Sequence, residues 1–195
     1  RELLVRGRWV VTPEGLRPAS LRVRGGRIAA VGGADDPGGS AEVLDIGEAV
    51  LFPGLVDTHV HVNDPGRAEW EGFPSASRSA AAGGVTTIFD MPLNSIPPTT
   101  TVEGLKSKLE AAAGRSLVDV GFWGGLVPEN LAQLEALVAH GVPGVKCFLA
   151  PSGVPEFPPV TEEHLREALP LLARAGAVLL AHAELSSRLR DLGGD

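Results

Sequence analysis

Residues 54–62 read Gly-Leu-Val-Asp-Thr-His-Val-His-Val, and the alternation within them sets the fold. Along a strand successive side chains point to opposite faces. Val56, Thr58, Val60 and Val62 therefore share one face, and Asp57, His59 and His61 the other. If the valine side packs beneath helices, the opposite face carries two imidazoles and a carboxylate toward the interior of a sheet. Similar short apolar runs recur at 85–91, 117–126, 142–149 and 177–183, separated by helix-like stretches near 74–82, 101–113, 129–140, 161–175 and 185–192. Ala80-Ala81-Ala82 and Glu110-Ala111-Ala112-Ala113 are strong helix formers, closed by Gly83-Gly84 and Gly114. Thr161 reads as the cap of the helix that follows it. Strands alternating with helices build βα units around a parallel sheet. Five such units are visible. A (β/α)₈ barrel needs eight, in typically about 250 residues, so the barrel reading requires a chain truncated after about five βα units. The alternative is a complete five-stranded doubly wound sheet, but its usual Gly-rich phosphate turn after the first strand is absent.

Upstream the rhythm is different. Residues 3–12, 20–31 and 42–52 read as short strands, punctuated by Pro13-Glu14-Gly15, Gly25-Gly26 and the loop at 32–39. The expectation is a small β-rich unit over 1–52 that holds no chemistry, followed by an α/β body over 53–195.

Composition removes several classes. Against 17 Lys and Arg stand 24 Asp and Glu, a net charge of −7, which argues against a nucleic-acid partner because that needs a basic face. No apolar run approaches the roughly 20 residues that span a bilayer, so no membrane segment is expected. Nor does the first segment have the layout of a signal peptide. One cysteine, Cys147, rules out an internal disulfide and fits a reducing cytoplasm. Arg1 in place of an initiating Met implies that the native start lies upstream.

Two histidines spaced two apart on one strand face project from the same side, roughly 6.5–7 Å apart at the backbone, and can serve one metal ion. The competing reading is a pair of satisfied core histidines; Asp57 beside them and their place near the carboxyl end of the strand weigh against it. Lys146 is the second candidate. It sits within Val142-Pro143-Gly144-Val145-Lys146-Cys147-Phe148-Leu149, an otherwise apolar run where an isolated ammonium is costly. A neutral amine there can take up CO₂ as a carbamate, a carboxylate able to bridge two cations; taken alone, a strand-end lysine paired with an acid explains it as well. His182 is the third, ending Ala177-Val178-Leu179-Leu180-Ala181-His182. Ligands of parallel α/β proteins gather at the carboxyl ends of the strands, and His59, His61, Lys146 and His182 would all project from that rim.

In this order the residues resemble the amidohydrolase superfamily, and within it the cyclic-amide branch of hydantoinases, dihydroorotases and allantoinases. The resemblance runs over essentially the whole chain. It implies a (β/α)₈ barrel of the amidohydrolase type with a composite β domain, and a hydrolase acting on cyclic amide C–N bonds. It also implies two zinc ions: His59 and His61 on the more buried one, His182 on the second, and a carboxylated Lys146 bridging both. A cytoplasmic homo-oligomer, a tetramer, would go with it.

Within the branch, dihydroorotase-like sequences carry an arginine where this chain has Asn63, and an asparagine cannot supply the charged fork that grips a carboxylate. Asp64-Pro65-Gly66-Arg67, Glu69-Trp70-Glu71-Gly72-Phe73, the run 90–99 and Gly144-Val145-Lys146-Cys147-Phe148 resemble allantoinases. That likeness implies allantoin as the small-molecule substrate, opened to allantoate, with Asn63, Arg67 and Asn94 as its contacts. Asn94 reads equally as a turn asparagine before two prolines. Hydantoinase or dihydropyrimidinase activity, and a non-catalytic scaffold, are the rival readings; the scaffold is disfavoured because all four ligands are kept. The aspartate acid–base group of the family follows an eighth strand and a further histidine ligand a sixth, and neither has a counterpart here. Asp195 falls at the wrong point in the order to stand in. The isolated chain is accordingly expected to hold about half of the site and to be inactive.

Overall fold

The first strand, β1 (Glu2–Thr12), is the spine of the N-terminal sheet. β2 (Gly15–Arg24) pairs with it antiparallel and β3 (Arg27–Gly32) continues the meander, while the short β4 (Glu42–Asp45) and β5 (Val50–Leu51) run parallel to β1 on its other side. The single strand expected over 20–31 is two strands. Gly25 (φ 57°) and Gly26 (φ 75°) form a two-residue hairpin turn with both central residues left-handed, the geometry that matches strand twist and that glycine adopts without strain. Leu4, Val10 and Ala19 are buried in this sheet. The computed structural model describes residues 1–185, and the chain divides into two compact units at Gly54/Leu55.

The second unit alternates strand and helix: β6 (Leu55–Val60), α1 (Phe73–Ala82), β7 (Val85–Asp90), α2 (Val102–Ala112), β8 (Asp119–Phe122), β9 (Gly124–Gly125), α3 (Leu134–Ala139), β10 (Gly144–Phe148), α4 (Glu162–Ala175) and β11 (Val178–His182). All its pairings are parallel, β6-β7-β8 and β9-β10-β11. Only Trp123 separates β8 from β9, so the run 119–125 pairs first with β7 and then with β10. Spatial order therefore follows sequence order. A doubly wound sheet reverses its order at a switch point, so that alternative is set aside. The helix expected near 185–192 falls almost wholly outside the described residues.

The valine face of β6 is buried only toward its carboxyl end: Val56 is 56% exposed, and the ladder to β7 is irregular between Asp57 and Val60. Val62 is fully buried with Phe73, Ile88, Leu105 and Phe122, and Val60 packs against the same cluster. Side chains of this size contribute roughly 1.5–3 kcal/mol each on burial. A second cluster under α3 and α4 holds Leu126, Leu134, Val145, Cys147 and Leu172, so Cys147 serves as a small apolar filler. Among the described residues no helix is long and apolar enough to cross a membrane.

Three helix ends show how local chemistry sets the boundaries. The backbone N–H of Thr161, the N-cap of α4, donates to His164 Nδ1 (3.1 Å), which closes a capping box at the start of the helix. His140 closes α3 with a ring nitrogen 2.8 Å from the Ala136 carbonyl. The helix expected over 129–140 begins late, with a 3₁₀ turn at Leu131–Gln133 before α3. The Asn130 side chain explains the delay: it accepts from Val127 N–H (2.9 Å) and donates to Thr100 and Gly125 carbonyls (2.7 Å each), holding an irregular backbone where a helix would otherwise start.

The inward face of α2 carries a lysine. Lys108 is 0% exposed, its Nζ 2.6 Å from Asp90 Oδ2 at the end of β7, and it also donates to the Met91 carbonyl. Burial raises the Asp90 carboxyl and lowers the Lys108 ammonium, and their contact opposes both shifts. Removing one partner strands the other charge without solvent, which typically costs about 3–5 kcal/mol. Lys108→Met should lower the urea-unfolding free energy by about that amount, and Lys108→Met with Asp90→Asn should recover part of it. Equal stability of the single variant and the parent would show that the pair is not formed.

Candidate functional site

The carboxyl ends of the parallel strands surround an open cavity of about 670 Å³, whose lining includes His59, Met91, Trp123, Lys146, Leu180 and His182. Three of the four sequence-predicted metal residues thus meet at one cavity. His61 lies beside it, its ring centroid 5.5 Å from that of His59, and borders a smaller cavity of about 320 Å³ with Asp57 and Glu71. Asp57 accepts the backbone N–H of His59 (3.0 Å), which makes it a support of the strand end.

The electrostatics differ among the four. Burial, then the positive neighbourhood of His59, Lys108 and Lys146, lowers His61 to about 4, so its imidazole is neutral at physiological pH. Lys146 is 6% exposed, and burial lowers its ammonium below the ordinary lysine value. Among the described residues no carboxylate pairs with it, which removes the strand-end ion pair as its explanation; its Nζ sits 5.1 Å from the Phe148 ring centroid. His182 stacks on Phe148 (4.8 Å between centroids, 14° between planes) and its Nε2 lies 2.9 Å from Glu184. Glu184 is thereby engaged with the candidate ligand. Among the described residues no three His, Cys, Asp or Glu side chains form a group that would hold a metal ion; the arrangement is a histidine pair, a buried amine and a third histidine across the cavity.

The three predicted substrate contacts occupy two loops that are fastened together. Asn63 (φ 65°) and Asn94 (φ 69°) both adopt the left-handed conformation that asparagine tolerates. Asn63 is 8% exposed and its Oδ1 has no hydrogen-bond partner. The Asn94 amide Nδ2 lies 3.4 Å from His61 Nδ1. Arg67 spends its guanidinium on protein groups: it donates to the Asn94 carbonyl (2.9 Å) and to Glu156 Oε1 (2.9 Å), and lies 5.1 Å from the Trp70 ring centroid.

Three supporting residues, Asp90, Trp123 and Lys108, do not stand out in the sequence. Asp90 Oδ1 accepts the Val62 N–H (2.8 Å), its backbone carbonyl accepts from Trp123 N–H (3.0 Å), and the next residue's N–H donates to Val60 C=O (2.8 Å). Trp123 Nε1 donates to the Thr58 carbonyl (2.9 Å). The β6 backbone is therefore gripped at Thr58, Val60 and Val62, around both imidazoles. Lys108 completes the set. Its signal is helical spacing, since it lies three residues after buried Leu105 on the face that α2 packs inward.

A site assembled at strand carboxyl ends places the chain among the parallel α/β proteins that hold their ligands there. Its relatives narrow that class. The profile of the Amidohydrolase family matches residues 50–190. The chain is 54% identical over 185 residues to the allantoinase of Streptomyces avermitilis, covering 94% of this chain and 41% of that protein. It is 52% identical to the allantoinase of Arabidopsis thaliana, covering 94% and 37%. Among solved structures, the L-hydantoinase (dihydropyrimidinase) from Arthrobacter aurescens superposes with a TM-score of 0.86 at 34% identity, over 95% of this chain and 41% of that one. The dihydropyrimidinase from Brevibacillus agri gives 0.82 at 28% identity, over 96% and 41%. The chain belongs to the amidohydrolase family, and it spans about two-fifths of the length of these relatives.

The fastening of the two loops is open to test at Gly66. It has φ 94°, a Cβ there would lie 2.6 Å from Ile96 Cβ, and Ile96 N–H donates to the neighbouring Pro65 carbonyl (2.8 Å). Gly66→Ala should destabilise by about 1–3 kcal/mol, read from denaturant midpoints. An unshifted midpoint would mean that the loops do not pack this way.

Proposed function

We propose that this chain supplies the metal-binding part of a cyclic amidohydrolase that opens the hydantoin ring of allantoin to allantoate. The parallel strands, in sequence order from β6 to β11 with β8 and β9 forming one run, are read as an arc of a (β/α)₈ barrel that further βα units of a longer polypeptide would close. The observation that carries the metal reading is Lys146, a buried amine with no ion-pair partner among the described residues, on the same cavity as His59 and His182.

The residues fit such a site. A carbamate forms when the neutral amine of Lys146 bonds to the carbon of CO₂ and releases a proton to solvent, and burial shifts Lys146 toward that neutral form. His61 is held as a neutral imidazole, the form that ligates metal. In this reading His59, His61, His182 and a carboxylated Lys146 would together hold two zinc ions. When bound, the two ions would supply an activated water and a polarised ring carbonyl. Phe148 fixes the plane of the His182 ring by stacking, and Trp123 and Met91 wall the cavity with apolar surface.

Two features favour a neutral ring over a carboxylate-bearing one such as dihydroorotate. Asn63 offers no cation, and the Arg67 guanidinium on the same loop is already committed to Glu156 and the Asn94 carbonyl. The allantoinases at 52–54% identity support allantoin within the neutral group. The hydantoinase likeness keeps hydantoins and dihydropyrimidines as the comparison substrates.

Two measurements test this. With zinc and bicarbonate supplied during expression, elemental analysis and native mass spectrometry of the chain should show zinc and one added CO₂, both lost in Lys146→Ala. A folded chain with neither would overturn the bridging role. With the chain extended to the length of its relatives, allantoin should be opened and dihydroorotate left intact. Opening of hydantoin or dihydropyrimidine with allantoin untouched would reassign the substrate.

A further inference from the structure

Three loops meet at Arg67. It lies in the loop after β6, donates to the carbonyl of Asn94 in the loop after β7, and donates to Glu156 in the loop after β10. Those are the strands that carry His59, the Asp90 clamp and Lys146 respectively. The clasp is held on several sides: the Arg67 side chain is only 17% exposed, its backbone N–H donates to the Asn63 carbonyl (3.0 Å), and Trp70 lies 5.1 Å from the guanidinium. Glu156 is held as a carboxylate by its own backbone N–H and by Arg67.

The consequence falls on Asn94. Its left-handed backbone (φ 69°) is a conformation that asparagine tolerates and that an L residue rarely adopts without support. Arg67 holds its carbonyl, and the amide then lies 3.4 Å from His61 Nδ1. An imidazole whose one nitrogen meets a fixed partner has its ring orientation and its tautomer chosen for it.

We infer that Arg67 and Asn94 are positioning residues, a relay Glu156–Arg67–Asn94 that fixes the ring and tautomer of His61 from the loop following the Lys146 strand. Arg67 is thereby taken from the substrate and given to the scaffold. With Nδ2 of Asn94 facing it, His61 Nδ1 accepts and the ring proton stays on Nε2. Turning the amide by half a revolution presents Oδ1 instead and moves the proton to Nδ1, which frees the Nε2 lone pair for a cation. The importance of the relay rests on the proposed role of His61 as a metal ligand; its test does not, because the readout is taken on the metal-free chain.

The test is the pair of His61 ring ¹⁵N shifts, assigned by the loss of one spin system in His61→Gln. In the parent the Nδ1 shift should report an acceptor. Asn94→Gly, which takes a φ of 69° without strain, should move the Nδ1 shift toward that of a solvated imidazole and leave the His59 and His182 shifts in place. Asn94→Asp offers only acceptor oxygens, so it should invert the tautomer to Nδ1–H. Arg67→Met and Glu156→Ala should each move the His61 shifts in the direction of Asn94→Gly, and Arg67→Lys should not restore them because one ammonium cannot serve both partners in the same geometry. Identical His61 shifts in the parent, Asn94→Gly and Asn94→Asp would overturn the contact. An Asn94 effect with no Arg67 effect would overturn the relay. Neither outcome depends on whether allantoin is hydrolysed.

Discussion

A carboxylate and an ammonium, both removed from solvent and 2.6 Å apart, set the geometry from which the rest of the α/β unit follows. Water is not there to stabilise either charge, so each requires the other, and an error in the position of one is costly. That requirement fixes α2 against the end of β7. The other oxygen of Asp90 then reaches β6 through the Val62 N–H, while the Asp90 carbonyl takes the Trp123 N–H from the run joining β8 to β9. One side chain and its backbone thereby tie together three strand ends and a helix. His61 lies between Val60 and Val62, the two residues gripped by Met91 and Asp90. Its placement thus depends on a charge pair buried behind the site.

The same economy of position governs the rim. Backbone contacts between Pro65 and Ile96 and the close approach at Gly66 bring the first two loops into register. Arg67 then spans them and reaches the third. Its donors are thereby spent on a carbonyl and a carboxylate of the protein.

Much of the scaffold is legible in residues 54–62 and in their repeats. Alternation puts Val60 and Val62 under the helices, and they pack there; the ladder to β7 is irregular between Asp57 and Val60, and His59 borders the large cavity while His61 borders the smaller one with Asp57 and Val60. Polar residues within apolar strands, Lys146 inside β10 and His182 at the end of β11, mark members of the cavity wall. What cannot be read locally depends on partners far away in sequence. Lys108 looks like an ordinary helix lysine until α2 is seen to pack it against Asp90. Arg67 looks like a free guanidinium until residues 94 and 156 arrive beside it. Asn130 displaces the start of a helix because its amide is worth more to the loop carbonyls of Thr100 and Gly125 than a helical turn is to the chain. The Gly25-Gly26 turn is visible as punctuation, and it breaks the strand expected over 20–31 because two left-handed residues in succession reverse the chain.

The site residues divide by what holds them, and that division carries a physical argument about assembly. His59 and His61 stand on a strand whose backbone is secured at Thr58, Val60 and Val62 by groups wholly within the described unit. Lys146 lies on β10, flanked by β9 and β11, with its neighbours buried. These positions are determined before any ligand arrives, so binding there would not have to supply the ordering of the backbone. His182 is different: it closes β11, has its side chain 43% exposed, and relies on Phe148 and Glu184 for its orientation. The histidine pair and the lysine are therefore held by the fold itself, whereas His182 is the one of the four whose side chain depends on two neighbouring side chains for its orientation.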